Sequence, residues 1–150
     1  PDSFSLILAV MVAWPIAATS WRVLGLGRGQ RAAARLDLRD LARPVAVVPS
    51  RTDLERVRRI LDEDAALVLV ADGPALLGAI DDAGLAGLGA VDERRATAGQ
   101  VCLALPARAV TTTATGPEAA RALKAARTVS RWLVLVEDGR MSGAVPTGAR

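Results

Sequence analysis

One short pattern occurs twice in this chain and constrains its fold more than any other feature. Residues 67–73 read LVLVADG and residues 133–139 read LVLVEDG. A glycine and two further apolar residues follow each copy, at 78–80 and at 143–145. An Asp-Gly pair between apolar, β-branched runs is the strongest short signal for a β-hairpin. We therefore predict two hairpins, each with a second strand that begins at a glycine.

The residues that precede each hairpin also repeat in kind. A helix is predicted near 52–64 from the helical spacing of its apolar residues, and another near 117–130, where proline suits the first turn. Short extended stretches at 45–48 and 109–112 precede these helices, and residues 82–88 form a short closing helix after the first hairpin. Neither copy has enough apolar surface to fold alone, so the copies should pack on each other. The second copy ends without its closing helix, and we expect it to borrow cover from the linker or from a partner.

The composition excludes several classes of site. The 150 residues include no His and a single Cys, which removes His-based acid–base catalysis, His metal sites and an internal disulfide. Aromatic residues make up 3%, too few for a surface that stacks nucleic-acid bases. The acidic clusters at 62–64 and 81–82 are typical of solvated helix and strand ends rather than of a metal site. We predict no metal site and no nucleic-acid partner for this chain.

The N-terminal residues differ from the rest of the chain. Residues 4–21 carry no charge, and as a helix they reach ~27 Å, enough for a thin hydrocarbon core. Four arginines follow before the first acid, and by the positive-inside rule this flank is cytoplasmic. We predict a transmembrane helix at 1–22 that places the chain in the cell membrane, with residues after about 22 in the cytoplasm. The alternatives are a signal peptide and a buried helix of a soluble protein.

A basic linker, residues 23–43, is predicted to join this segment to the repeats. Within it, residues 30–43 are expected to form a short helix with apolar residues that face a partner and arginines that contact anionic lipid head groups. A solvated linker helix is the alternative. The chain begins at Pro1 without an initiator Met, from which we expect it to be a piece of a longer protein.

The duplicated unit resembles a tandem pair of cystathionine-β-synthase-type (CBS) domains, a Bateman module. The resemblance covers about residues 40–150 and is carried by these segments: Arg43-Pro44-Val45, Val47-Val48-Pro49, Asp72-Gly73 to Gly78, and Asp138-Gly139 to Gly143. It implies an α+β fold in which two β-α-β-β-α repeats, at 44–90 and 109–150, pack as a pseudo-two-fold pair joined by a connector at 91–108. It also implies a homodimer formed through the pair. An unrelated α+β domain with an accidental repeat is the alternative.

The resemblance implies clefts between the repeats that hold the adenosine part of AMP, ATP or S-adenosylmethionine in many family members. The family's motif begins at the hairpin glycine and supplies a hydroxyl for phosphate and an Asp for ribose. Here Asp81 and Gly84 stand at those positions in the first copy, and Pro146 and Ala149 in the second. Because both copies depart from the motif, a structural or dimerisation pair is favoured over adenine-nucleotide binding. A ligand would be expected to contact Val47, Val48, Ala79, Ile80, Asp81, Thr112, Ala144 and Val145.

The order of hydrophobic helix, basic linker and CBS pair resembles the C-terminal end of a bacterial site-2-type intramembrane zinc metalloprotease. The Arg- and Ala-rich junction that runs into residues 37–44 carries this resemblance. It implies a regulatory tail that gates or positions the catalytic membrane domain of the same polypeptide. The family's His-Glu-x-x-His helix and later Asp, with their zinc, have no match in this chain, so no catalytic residue and no cofactor are assigned to it. The alternatives are a CBS module of another membrane protein, such as a transporter or channel, and a stand-alone CBS protein.

Overall fold

The computed structural model describes residues 31–89 and 94–148. The transmembrane helix predicted at 1–22 lies outside the described residues. Within the two described ranges, no helix is long and apolar enough to cross a membrane. The elements follow the chain in the order α1 (Leu38–Leu41), β1 (Val45–Val48), α2 (Leu54–Glu63), β2 (Leu67–Asp72), β3 (Ala75–Ile80), α3 (Asp82–Ala86), α4 (Ala98–Val101), β4 (Val110–Thr111), α5 (Gly116–Arg127), β5 (Trp132–Glu137) and β6 (Arg140–Pro146).

Each copy of the repeated pattern forms a three-stranded mixed sheet. In the first repeat, β1 lies parallel to β2 and β2 antiparallel to β3, with α2 as the crossover between the parallel strands. In the second repeat, β4, β5 and β6 have the same order and the same directions, with α5 as the crossover. The register shifts at matching places, between Val70 and Ala71 and between Leu135 and Val136. The chain thus has an α+β fold with two sheets of one topology.

The two hairpin turns follow from the Asp-Gly pairs. Gly73 adopts φ +58°, and Asp138 and Gly139 adopt φ +52° and +72°. Glycine reaches this left-handed region without steric cost, and Asp tolerates it better than most residues do. The second turn therefore consists of the predicted Asp-Gly pair. The first turn consists of Gly73 and Pro74, because Asp72 still pairs with Ala75 in the sheet.

The predicted helices and the strand predicted at 109–112 are present with adjusted bounds. The prediction that the second strand of each hairpin begins at a glycine is wrong, because these strands begin at Ala75 and at Arg140, where the chain already pairs with the preceding strand. Helix α5 ends at Arg127 rather than near residue 130, and Thr128 caps it by donating its hydroxyl hydrogen to the Ala125 carbonyl. Helix α2 begins one residue after Asp53, whose carboxylate accepts a hydrogen bond from the Arg56 backbone N–H. Strand β4 is limited to two residues, and α3 ends at Ala86.

The prediction of one helix over residues 30–43 is wrong. Residues 31–34 are helical, but the chain is then extended at Asp37, with φ −124° and ψ 114°. The cause is pairing with the second repeat: the Leu36 carbonyl accepts from Gly116 N at 3.0 Å and Leu38 N donates to the Ala114 carbonyl at 2.7 Å. A helix cannot continue through residues whose backbone groups bind another segment. The four-residue helix α1 begins only after this pairing.

Helices α1 and α4 occupy equivalent places in the two repeats. Helix α1 precedes the first repeat along the chain and packs on the second, whereas α4 precedes the second repeat and packs on the first. Leu38 of α1 packs into the core of the second repeat, and Ala98 of α4 packs into the core of the first. Each helix is followed by a backbone pairing with the same repeat, Arg43 with Ala144 and Leu103 with Ala79. The linker thus covers the apolar core of the second repeat, as was expected of the linker or of a partner.

The apolar interior consists of one core for each repeat and a third cluster between them. The third cluster draws Leu67 and Leu69 from the first sheet and Val134 and Ala144 from the second, all at most 1% exposed. Trp132 packs against this cluster. Because both sheets contribute to this cluster, the two repeats bury apolar surface on each other.

Candidate functional site

A cleft of about 380 Å³ opens where the two repeats meet. Its wall combines the end of β3, the segment after α4, and the segment that joins α5 to β5. Most of the wall is apolar, contributed by Leu67, Ala79, Ile80, Val101, Leu103, Ala104, Leu105, Pro106, Val129 and Trp132. The charged side chains of the wall are Asp81, Arg127 and Arg131.

A polar contact between the repeats closes one side of this cleft. The Asp81 carboxylate, at the end of β3, accepts from Arg131 Nη2 at 2.7 Å and from Arg131 Nε at 3.0 Å. It also accepts from Trp132 Nε1 at 2.8 Å. We call this group of Asp81, Arg131 and Trp132 the clasp. The clasp links Asp81, just before α3, to Arg131 and Trp132 at the start of β5. It therefore joins the two repeats.

Local structure fixes the Asp81 carboxylate in place. Asp81 is the N-cap of α3, and its Oδ1 accepts from Gly84 N at 2.8 Å. With the three bonds from the clasp partners, each carboxylate oxygen accepts two hydrogen bonds. An ionised carboxylate offers about four acceptor sites, so Asp81 has no acceptor site left for a ligand.

The electrostatics of the clasp favour its ionised form. Burial raises the pKa of Asp81, since the residue is 8% exposed. Hydrogen bonds from Arg131, Trp132 and Gly84, together with the Arg131 charge, outweigh burial and hold the pKa below its usual value. An unpaired carboxylate at the family's phosphate-binding position would repel an anionic ligand. In the fold the charge of Asp81 is already matched by Arg131.

Three of the eight predicted ligand contacts, Ala79, Ile80 and Asp81, line the cleft. The other five lie elsewhere in the fold. Val47 is exposed on β1 and Val48 is buried in the first core, while Thr112 is exposed just after β4. Ala144 and Val145 are buried in β6, at the interface between the repeats and in the second core.

Among the charged residues of the cleft wall, sequence reasoning missed Arg127 and Arg131. Both lie near the end of α5, far along the chain from Asp81. One signal was available, because an aspartate at a position expected to be buried requires a cation nearby. The sequence alone does not say which arginine supplies that cation.

Asp81→Asn is expected to remove an acid-dependent part of the stability. Because the folded pKa of Asp81 is depressed, its contribution is present above the unfolded pKa of about 4 and is lost as pH falls through the folded pKa. The variant should be about 2 kcal/mol less stable near neutral pH, and its stability should fall less steeply in acid. Urea unfolding across the acid range measures both effects, with the exposed Asp62→Asn as control. Identical pH profiles for Asp81→Asn and the wild type would contradict this account.

No protein-family model matches the sequence, and no curated protein is significantly similar to it. Solved structures are similar in fold. The CBS domain of a bacterial CNNM/CorC family Mg²⁺ transporter superposes with a TM-score of 0.58 at 16% identity, covering 97% of this chain and 91% of that chain. A conserved protein from Pyrococcus horikoshii superposes with a TM-score of 0.53 at 14% identity, covering 75% and 87%.

A further neighbour is the CBS domain of a bacterial CNNM/CorC family Mg²⁺ transporter in complex with ATP. It superposes with a TM-score of 0.54 at 16% identity, covering 74% of this chain and 81% of that chain. Identities this low bear on the fold alone. Together with the paired mixed sheets, these similarities show that the chain has the fold of a CBS module.

Proposed function

We propose that this chain is a regulatory CBS module that gates or positions the active part of a membrane protein. The position of β5 is the observation that carries the proposal. Its first residue, Trp132, donates to Asp81 in the clasp, and its last residue, Glu137, accepts from Arg39 Nε of α1 at 2.6 Å. One strand therefore joins the cleft to the segment that leads toward the N-terminus.

The segment before β1 is held by the second repeat. The Leu38 side chain is fully buried there, and Arg43 exchanges two backbone hydrogen bonds with Ala144, at 2.8 and 3.0 Å. A change in the orientation of the two repeats would move β5 and, with it, residues 36–43. We infer that this mechanical route, through the second repeat, carries the regulatory signal toward the membrane.

For the identity of the membrane protein, the sequence resemblance favours a site-2-type zinc metalloprotease. In this proposal residues 1–22 span the membrane, the repeats lie in the cytoplasm, and the zinc and its ligands belong to a catalytic domain upstream of Pro1. The module pairs with a second copy as a homodimer. In the described ranges, no group of three or more His, Cys, Asp or Glu side chains is placed to hold a metal ion.

The coding sequence upstream of Pro1 tests this assignment. A His-Glu-x-x-His motif in an upstream apolar helix is the expected result. An upstream region without this motif would contradict the protease assignment. The regulatory role of the module would then belong to another membrane protein.

A transporter is the second candidate, because structural neighbours of this chain include CBS domains of the CNNM/CorC family of Mg²⁺ transporters. The same regulatory role would then act on ion transport rather than on peptide hydrolysis. Upstream membrane helices without the protease motif would favour this candidate.

Adenine nucleotides are expected to stabilise the chain little. The Asp81 carboxylate occupies the position of the family's phosphate-binding hydroxyl, and its acceptor sites are filled by protein donors. A bound ligand raises the free energy of unfolding by RT ln(1 + [L]/Kd), and the melting temperature rises with it. Thermal unfolding with AMP, ATP and S-adenosylmethionine measures this, with Asp81→Ser as the comparison. A shift of several degrees at sub-millimolar nucleotide in the wild type would contradict the prediction.

A further inference from the structure

Within the part of the chain that the structure describes, one charged side chain of the cleft wall has no carboxylate partner. In the clasp, the side chains of Arg131 and Trp132 donate hydrogen bonds to the Asp81 carboxylate. Thr128 donates to a backbone carbonyl of α5, and the Ser130 hydroxyl accepts from the Trp132 backbone N–H at 3.1 Å. Arg127 also lines the cleft, and within residues 31–89 and 94–148 no carboxylate pairs with its guanidinium. The guanidinium lies beside the backbone of Gly148.

The charges of the cleft leave it with a single positive charge. Two arginines and one aspartate line the wall, and the aspartate is matched by Arg131 in the clasp. Arg127 is the remaining cation. An arginine fork binds a carboxylate in a bidentate manner, with shorter and stronger hydrogen bonds than a neutral pair makes.

The rest of the cleft suits an apolar body. Leu103 is 64% exposed and Val129 is 42% exposed, although both belong to the cleft wall. Large apolar side chains that are exposed together within a concavity gain free energy when a ligand removes them from water. The same wall includes Leu105 and Trp132, so the apolar surface continues from the mouth into the cleft.

We propose that this cleft binds a small organic monoanion, of the aromatic or branched carboxylate class, whose apolar body covers Leu103 and Val129 and whose anionic group pairs with Arg127. The inference rests on the proposed regulatory role and names the ligand class of the same cleft. A monoanion would neutralise the single positive charge of the cleft wall, which Arg127 carries. A phosphate dianion would exceed that single charge and leave the occupied cleft with a net negative charge.

A matched pair of probes tests the proposal on the full chain. The aromatic acid 2-naphthoate and its amide, 2-naphthamide, share one apolar body and differ in charge. We expect 2-naphthoate to bind about five-fold more tightly, the size of one partly exposed charge-assisted contact. Titration followed by NMR shifts of the Trp132 indole N–H and the Leu103 amide measures both affinities at the cleft.

Three variants separate the contributions of charge and apolar surface. Arg127→Gln should abolish the preference for naphthoate and leave naphthamide binding unchanged. Arg121→Gln, an exposed change on the same helix but outside the cleft wall, should preserve the preference. Leu103→Ala should weaken both probes equally. Equal affinity of the two probes in the wild type, or a preference that survives Arg127→Gln, would overturn the proposal.

The outcome is distinguishable from failure of the proposed function. Loss of naphthoate selectivity overturns the ligand class and leaves the link through β5 in place. Selective binding without any energetic link between the clasp and α1 would support the ligand site and contradict the regulatory role.

Discussion

Gly78→Ala is expected to destabilise the module by about 3 kcal/mol. A Cβ at residue 78 would clash with the carbonyl oxygen of Leu103 and would lie 2.9 Å from its carbonyl carbon. The backbone of Leu103 cannot withdraw without cost, because its N–H and carbonyl both bind Ala79, at 3.1 and 2.9 Å. The substitution must therefore break the pairing that holds the segment after α4 on the first repeat. Chemical denaturation of the full chain measures the loss.

Gly87→Ala is the control for this prediction. A Cβ at residue 87 would meet its nearest neighbour, the Gly84 carbonyl oxygen, at 3.7 Å, which is an ordinary contact. The backbone there is right-handed helical, at φ −78°, so alanine should change the stability by less than about 1 kcal/mol. If both glycine variants unfold at the same denaturant concentration, the close approach between β3 and Leu103 is not a constraint on the fold.

Leu38→Ala is expected to cost about 2 to 5 kcal/mol, the range for a leucine removed from a packed core. The Leu38 side chain is 0% exposed and packs with Leu133, Leu135 and Val145 of the second repeat. A residue of a solvated linker would show no such effect. Denaturation of the full chain measures the loss.

Leu41→Ala is the matched control, since Leu41 lies on the same short helix and is 47% exposed. It should change the stability by less than about 1 kcal/mol. Equal, small effects of the two alanine substitutions would mean that α1 is not part of the second core.

The hairpins and the long helices could be predicted because their signals are local. The repeated LVLV runs lie in strands, and the glycine of the Asp-Gly pair after each run lies in the turn. The exchange of α1 and α4 between repeats could not be predicted. These helices have four residues each and share no sequence pattern. A segment this short is too brief for a helical hydrophobic period to be recognised. Their positions are set by long-range backbone pairing with the opposite repeat.

The residues of the cleft wall that sequence reasoning named as ligand contacts are those that follow Gly78, the hairpin glycine of the first repeat. That motif points to Ala79, Ile80 and Asp81, which line the cleft, and their role as ligand contacts stays a prediction. The partners of Asp81 lie 50 and 51 residues away along the chain, and no local pattern connects them. The same reasoning assumed an equivalent second site. Pro146 aligns with Asp81 and has no side-chain polar group for a second clasp, and the contacts predicted there stay predictions.

The central claim is that the clasp and the Arg39–Glu137 contact act through one strand, and a double-mutant cycle tests it most directly. Asp81→Asn and Glu137→Gln perturb groups at opposite ends of β5, about 16 Å apart at strand spacing. Mutations this far apart add within about 0.5 kcal/mol unless a shared element links them. We predict a coupling energy in the free energy of unfolding above about 0.5 kcal/mol, whereas Asp81→Asn with the exposed Glu55→Gln should be additive. Additive effects for Asp81→Asn and Glu137→Gln, in a chain that stays folded, would contradict the regulatory link between cleft and linker.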